Sequence, residues 1–361
     1  MDQQPTVNIS PEFLEQNPLV AIALVAFTLV FTAFVIGALA SWVFLIIRAV
    51  QGKPVLAPEP WKPRVWGFVD ILLAALFIIF WQFQSALIGY KFLGLSRQDL
   101  PESQTISLPL ATLSGIGNLA AMLTICVWIA FRHRASLAQL GFGFIRWWKH
   151  IAIGVIAALA SIPLVYALMA AVNVGFDSTY AHPLLEEMKR AGSLPAYLLA
   201  VTSAVLIAPL VEEFLFRVLI QGWLQSVPFG SIRSIFLGQA EEAQLAVVTT
   251  SADVSIAPNP DNPYSPLNVL VTRLEPTDHA TESAPIIPPI WPSFVTGTLF
   301  GMAHFGYGLS FIPLIVLGII LGLLYRATHS IWPSLVVHFI LNGSSMLALG
   351  ISILIQRAAQ P

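Results

Sequence analysis

Charge is what this sequence has least of. Only 10% of its 361 residues are Asp, Glu, Lys or Arg, against roughly 25% in a soluble globular domain, which excludes that class. The formal net charge is -2. No basic excess exists to neutralise phosphates, so a nucleic-acid partner is excluded. Cysteine is nearly absent as well. The one thiol, Cys126, sits in an apolar run, which rules out an intrachain disulfide or a thiolate cluster and leaves helix packing as its role. No Lys or Arg precedes the first apolar run, Pro18 to Ile47, and that run exceeds a signal-peptide core. A cleavable leader is therefore not expected, and Ala38-Leu39-Ala40 is read as an accidental cleavage-site match. There is no internal repeat and no His-Glu-x-x-His helix.

What the chain has instead is apolar length. Hydrophobic residues make up 57% and the mean hydropathy is +0.78, the composition of an integral, multi-pass membrane protein. Apolar runs near 18 to 47, 66 to 90, 106 to 131, 151 to 174, 195 to 224, 291 to 306, 309 to 325 and 331 to 356 predict an all-α bundle of about eight transmembrane helices around a polar cavity. The sixth run is short and flanked by proline. The organisation expected is an N-terminal four-helix region (1–194), a membrane core (195–226 and 291–356) and an insert (227–290).

Orientation follows from basic residues in the connections. Arg48, Lys53, Lys62, Arg64, Arg132, Arg134, Arg146, Lys149, Arg233, Arg273 and Arg326 fall on one side, against Lys91, Arg97, Lys189, Arg190 and Arg357 on the other. The richer side is expected to be cytoplasmic and both termini outside, and the chain reads as a protein of the bacterial plasma membrane. The insert is acidic and rich in proline. Leu245 to Ile256 and Leu267 to Leu274 have strand character around Pro258-Asn259-Pro260-Asp261-Asn262-Pro263, so a small hairpin and a disordered cytoplasmic loop both fit. Pro60-Trp61-Lys62-Pro63-Arg64-Val65-Trp66 and Arg146-Trp147-Trp148-Lys149 combine tryptophan with basic residues at helix entrances, as interfacial anchors do.

Against this background the run Ala208 to Leu219 stands out, because it holds Glu212, Glu213 and Arg217. A charge at the centre of a membrane helix costs about 2.5 to 3.5 kcal/mol on insertion scales. Such residues are usually paired and turned to a cavity. At 100° per residue Glu213 and Arg217 share a face as i,i+4 neighbours and are read as an ion pair, whereas Glu212 points elsewhere without a local partner. A solvated helix end is the alternative. Two later apolar helices carry polar groups in register: Phe300-Gly301-Met302-Ala303-His304, and His338-Phe339-Ile340-Leu341-Asn342, where His338 and Asn342 share one face. A buried histidine often only satisfies a neighbouring backbone group. Glu212, His304, His338 and Asn342 together, in a chain that otherwise avoids polarity, point to one shared site.

A carboxylate beside a neutral imidazole can deprotonate a water to attack a carbonyl, and a second imidazole with an amide N–H can stabilise the resulting oxyanion. That is an inventory for peptide-bond hydrolysis without a nucleophilic serine or cysteine. The alternative use of Glu212, His304 and His338 is to hold Zn²⁺, for which Asn342 would be a weak ligand.

In these motifs the chain resembles the CAAX-type intramembrane protease family, also called CPBP or Abi, which includes CAAX prenyl protease 2. Glu212-Glu213-Phe214-Leu215-Phe216-Arg217 matches Glu-Glu-x-x-x-Arg, Phe300 to His304 matches Phe-x-x-x-His, and His338 to Asn342 matches His-x-x-x-Asn. Phe311, Gly318, Gly322, Thr328 and Ser330-Ile331-Trp332-Pro333-Ser334 extend the likeness, and Pro60-Trp61 and His182-Pro183-Leu184 echo it weakly. The resemblance covers about 195 to 345 apart from the insert. It implies that Glu212 with His304 activates water, that His338 and Asn342 form the oxyanion site, and that Glu213 and Arg217 support the first motif. No cofactor is required on that reading. The implied substrate is a peptide or a protein, prenylated in the CAAX case, cut near the cytoplasmic face of the bilayer. The long insert and long first helix depart from the family pattern. A zinc metalloprotease, a non-catalytic scaffold or bacteriocin-immunity protein and a proton-coupled transporter are the rival readings.

Overall fold

The computed structural model describes residues 9–59, 61, 64–92, 94, 108–176, 194–238 and 287–359. Its elements are α1 Pro11–Gln16, α2 Pro18–Val50, α3 Phe68–Phe92, α4 Leu108–His133, α5 Trp147–Phe176, α6 Leu194–Phe229, α7 Ile232–Leu237, α8 Trp291–Met302, α9 Phe311–Thr328 and α10 Trp332–Ala358. Among the described residues there is no strand. Among the described residues seven helical segments are long and apolar enough to cross a membrane. The chain is an all-α, multi-pass integral membrane protein.

The run of the expected eight that is not among these seven is the sixth. Its helix, α8, has 12 residues and is about 18 Å long at 1.5 Å per residue, well short of a hydrocarbon core of about 30 Å. At His304 (φ -101, ψ 9) the α-helix has ended, and a 3₁₀ turn over Phe305–Ser310 with Gly308 at φ 73 reverses the chain into α9. The short helix therefore ends at a half-buried His304, whose ring lies against that of Phe300. The hairpin predicted over Leu245 to Ile256 and Leu267 to Leu274 lies outside the described residues, as does His182. Ahead of it, α6 runs on to Phe229 and is followed by α7.

Helices α8 and α9 approach closely at their glycines. Gly297 lies against Gly318 and Ile319, Gly301 against Ile315, and Gly322 against Ser293, small residues of the kind that let membrane helices pack tightly. A Cβ on Gly318 would lie 2.7 Å from the Gly297 carbonyl oxygen, and one on Gly301 would lie 2.6 Å from the Ile315 nitrogen. Behind this pair, Ile162, Phe300, Leu317, Leu321 and Val337 join α5, α8, α9 and α10 in one apolar core. A second core of Ile125, Ile129, Phe214, Val218 and Leu219 joins α4 to α6. Helix α2 is peripheral, with only Val20, Ala38 and Ser41 buried.

The Arg- and Lys-rich connections meet at one end of the bundle. Arg64, buried against Trp66 and Tyr325, donates to the Gln139 carbonyl, the Tyr325 hydroxyl and the His329 carbonyl. The Glu59 amide donates to the Ala327 carbonyl at 2.8 Å, and its carboxylate meets Lys149 and His150 at 3.2 Å. Arg326 reaches the Pro288 carbonyl at 2.8 Å. Segments far apart in sequence are thereby tied into one cap over the ends of α6, α9 and α10.

Candidate functional site

The first motif lies in an irregular stretch of α6. Glu212 and Glu213 end a short α-helical piece, Ala208–Glu213, between π-helical turns over Thr202–Ile207 and Phe214–Gln221. The upstream turn follows from Pro209, which has no N–H to give to the previous turn. The Ala208 amide bonds to the Ser203 carbonyl, five residues back. In that pattern the Ala204 carbonyl would be served by residue 209, and the proline cannot serve it. Asn342 takes the place of the missing donor: its Nδ2 donates to the Ala204 oxygen at 2.8 Å. The polar residue one turn beyond His338 thus pins α10 to the defect in α6.

Glu213 and Arg217 are both 0% exposed. Arg217 Nε donates to Glu213 Oε2 at 3.1 Å, so the i,i+4 pair is formed inside the bundle. The other carboxylate oxygen, Oε1, lies 3.1 Å from His338 Nδ1. One buried carboxylate thus joins an arginine on its own helix to a histidine on α10. Glu212 is turned away from this buried pair and its side chain is 28% exposed. Its Oε2 stands 3.7 Å from His338 Nε2. The imidazole therefore has a carboxylate on each edge, one buried and one accessible.

Phe300, fully buried, is the surface on which the three motifs meet. Its ring lies 5.2 Å from that of His304, 5.5 Å from that of His338 and 5.4 Å from that of Phe216, and the Arg217 guanidinium sits over it at 5.5 Å. His304 Nδ1 is 2.9 Å from the Phe300 carbonyl. A carbonyl can only accept, so Nδ1 carries the proton and, in the neutral ring, Nε2 carries the lone pair.

Of the residues singled out from the sequence, Glu212, Glu213, Arg217 and His338 are brought into direct contact, His304 joins them across Phe300, and Asn342 is held on α6. Residues the sequence reading passed over are Pro209 and, beyond Arg217, Gln221 and Thr296. The signal for Gln221 was there: Glu213, Arg217, Gln221 and Gln225 recur every fourth position in an apolar helix, and all four are 0% exposed. Toward the zinc alternative, no three His, Cys, Asp or Glu side chains are grouped as a metal set among the described residues, while the Glu213 contact at His338 Nδ1 is one that a zinc-binding imidazole also makes.

With this geometry in hand, comparison with known proteins adds one positive finding. Residues 268–344 match the family described as Type II CAAX prenyl endopeptidase Rce1-like, in agreement with the resemblance carried by the three motifs. The matched stretch contains His304, His338 and Asn342. Glu212, Glu213 and Arg217 precede it and reach it only through the fold. Searches of curated proteins and of solved structures found no match. The family match on a membrane bundle supports an intramembrane protease in general.

Proposed function

We propose that this chain, similar over residues 268–344 to the type II CAAX prenyl endopeptidases, hydrolyses a peptide bond near the cytoplasmic membrane face with a glutamate-activated water. The observation that carries the reading is the unlike environment of the two adjacent glutamates. Glu213 is sealed in with Arg217 and His338, so its charge is committed to holding them. Glu212 is accessible and is the carboxylate that can take a proton from water. Glu212 with His304, whose Nε2 bears the lone pair, is the water-activating set.

As the water oxygen attacks the carbonyl carbon, its proton passes to Glu212. The oxyanion forms beside His338 and the Asn342 amide. Because Nδ1–H is given to Glu213, His338 donates from Nε2 as the imidazolium, for which the two flanking carboxylates are counter-charges. On collapse the leaving amine takes the proton from Glu212. Glu213 contributes orientation, fixing the His338 ring through Nδ1 as a carboxylate orients an imidazole in a hydrolytic triad. Hydrolysis on this reading uses no resident metal. The cytoplasmic placement rests on the excess of Lys and Arg at the capped end. Substrates fitting the family are prenylated CAAX proteins, with unmodified peptides as the other class.

The test is cleavage of a farnesylated CAAX peptide and a panel of unmodified peptides by the purified protein in lipid nanodiscs, wild type against Glu212→Gln, with and without a strong chelator. Glu212-dependent cleavage that survives chelation is expected. Chelator-sensitive cleavage restored by zinc would replace the mechanism, and an inert wild type would favour the scaffold reading.

A further inference from the structure

The polar stripe on α6 continues past the motif. Arg217 Nη1 donates to Thr296 Oγ1 on α8 at 3.3 Å, and the Thr296 hydroxyl lies 3.1 Å from Gln221 Oε1 and 2.8 Å from the Pro292 carbonyl, both acceptors. Gln221 Nε2 in turn donates to Ser293 Oγ at 3.1 Å and to the Gly322 carbonyl at 2.7 Å. Arg217, Gln221, Ser293 and Thr296 are all 0% exposed.

The polarity of this chain of bonds is forced. Gln221 cannot be turned over, because its oxygen would then face the Gly322 carbonyl. With Nε2 on Gly322, Oε1 can only accept, as can the Pro292 carbonyl, so the single threonine proton is shared between these two acceptors, points away from Arg217 and leaves its lone pairs for the guanidinium. Gly322 is what allows the approach: a Cβ there would lie 3.0 Å from Gln221 Oε1 and 3.0 Å from Ser293 Cα. Arg217 Nη2 is the one member atom with no hydrogen-bond partner among the described residues; the bonds that are made are strengthened by the low dielectric of the interior.

We propose that Gln221 and Thr296 are positioning residues for the reaction: Gln221, anchored on Ser293 and Gly322, orients the Thr296 hydroxyl, which holds Arg217 and through it the Glu213 carboxylate against His338. The proposal rests on the hydrolytic reading above. It extends the six-residue first motif by one turn and makes the α8–α9 crossing part of the catalytic apparatus, because that crossing presents Ser293, Thr296 and Gly322 to the glutamine.

The test compares wild type with Thr296→Val, Thr296→Ser, Gln221→Met and the Thr296→Val/Gln221→Met double variant in nanodiscs, on whichever peptide the wild type cleaves best. Thr296→Val and Gln221→Met are expected to lower kcat about tenfold to a hundredfold with KM nearly unchanged, the size a small misplacement of reacting groups produces. Their pH–rate profiles are expected to move along the pH axis, which a smaller active fraction cannot cause. Thr296→Ser should restore both rate and profile, and the double variant should be no worse than the poorer single one, as for residues acting as a unit. Wild-type cleavage with variant profiles that superimpose on the wild type would overturn the proposal alone. A wild type that cleaves none of the peptides would overturn the hydrolytic reading and this proposal with it.

Discussion

His338 Nδ1 and Glu213 Oε1 lie 3.1 Å apart, although they are 125 residues apart in sequence. That contact joins the first and third motifs, and it assigns the two adjacent glutamates different work. Glu213 is an internal counter-charge, whereas Glu212, 3.7 Å from the other edge of the same ring, borders the accessible side.

The two glutamates should therefore fail differently. Glu212→Gln is expected to lower turnover by about 10² to 10⁴, the usual contribution of a general base, with the thermal midpoint unchanged. Glu213→Gln leaves Arg217 buried without a counter-charge and should destabilise by about 3 to 5 kcal/mol. Peptide cleavage and thermal unfolding in detergent, run side by side, check the pair. Equal loss of stability in both would contradict the division.

Asn342 and Pro209 offer a test in which stability and activity move oppositely. Asn342→Ala should lose about 10² to 10³ in kcat if its amide supports the oxyanion. Pro209→Ala restores an N–H able to claim the Ala204 carbonyl and removes a residue that costs a helix interior about 3 kcal/mol. The expected result is an unchanged or raised midpoint with turnover about tenfold lower, because Asn342 loses its anchor. Full activity in Pro209→Ala would separate the helix defect from the site.

The glycine crossing should be intolerant. Gly318→Ala drives a methyl to 2.7 Å from the Gly297 carbonyl, and overpacking of this kind costs about 1 to 3 kcal/mol. Its signature would be a lower midpoint together with reduced turnover, since α8 carries His304. A midpoint equal to that of wild type would mean that the helices can separate freely.

Acid should loosen the capped end. Burial pushes the His329 imidazole down to about 4 from an ordinary 6.5, with the nearby Arg64 adding to the effect. The folded protein then binds fewer protons than the unfolded chain between those values. Stability present above pH 6.5 is lost as the pH falls through 6.5 toward 4. Burial would raise the Glu59 carboxyl, but hydrogen bonds from His150 and Lys149 outweigh it and hold the group low, so a further loss follows below its ordinary 4.5. His329→Asn keeps a residue tolerant of the left-handed conformation that His329 adopts at φ 51. It should flatten the upper part of this acid slope in thermal midpoints taken between pH 8 and 4. An unchanged slope would move the effect elsewhere.

What the sequence alone determined was whatever depends on local composition and helical phase. Apolar run length set the membrane class and most of the spans. The four-residue spacing set the Glu213–Arg217 pair, and the rarity of polar groups in such runs marked Glu212, His304, His338 and Asn342. It marked the sixth run as short, but hydropathy does not register where its helix of twelve residues ends and turns into α9. The tertiary structure alone decided which carboxylate meets which imidazole. Adjacent residues on a helix point about 100° apart, and only the packing of α10 against α6 says which direction is buried. It alone also decided that Asn342 completes a backbone defect left by Pro209, and that Gln221 and Thr296 stand behind Arg217. Each of these is a contact between distant helices, made because a buried polar group in a membrane bundle must find its partner wherever the fold brings one within reach.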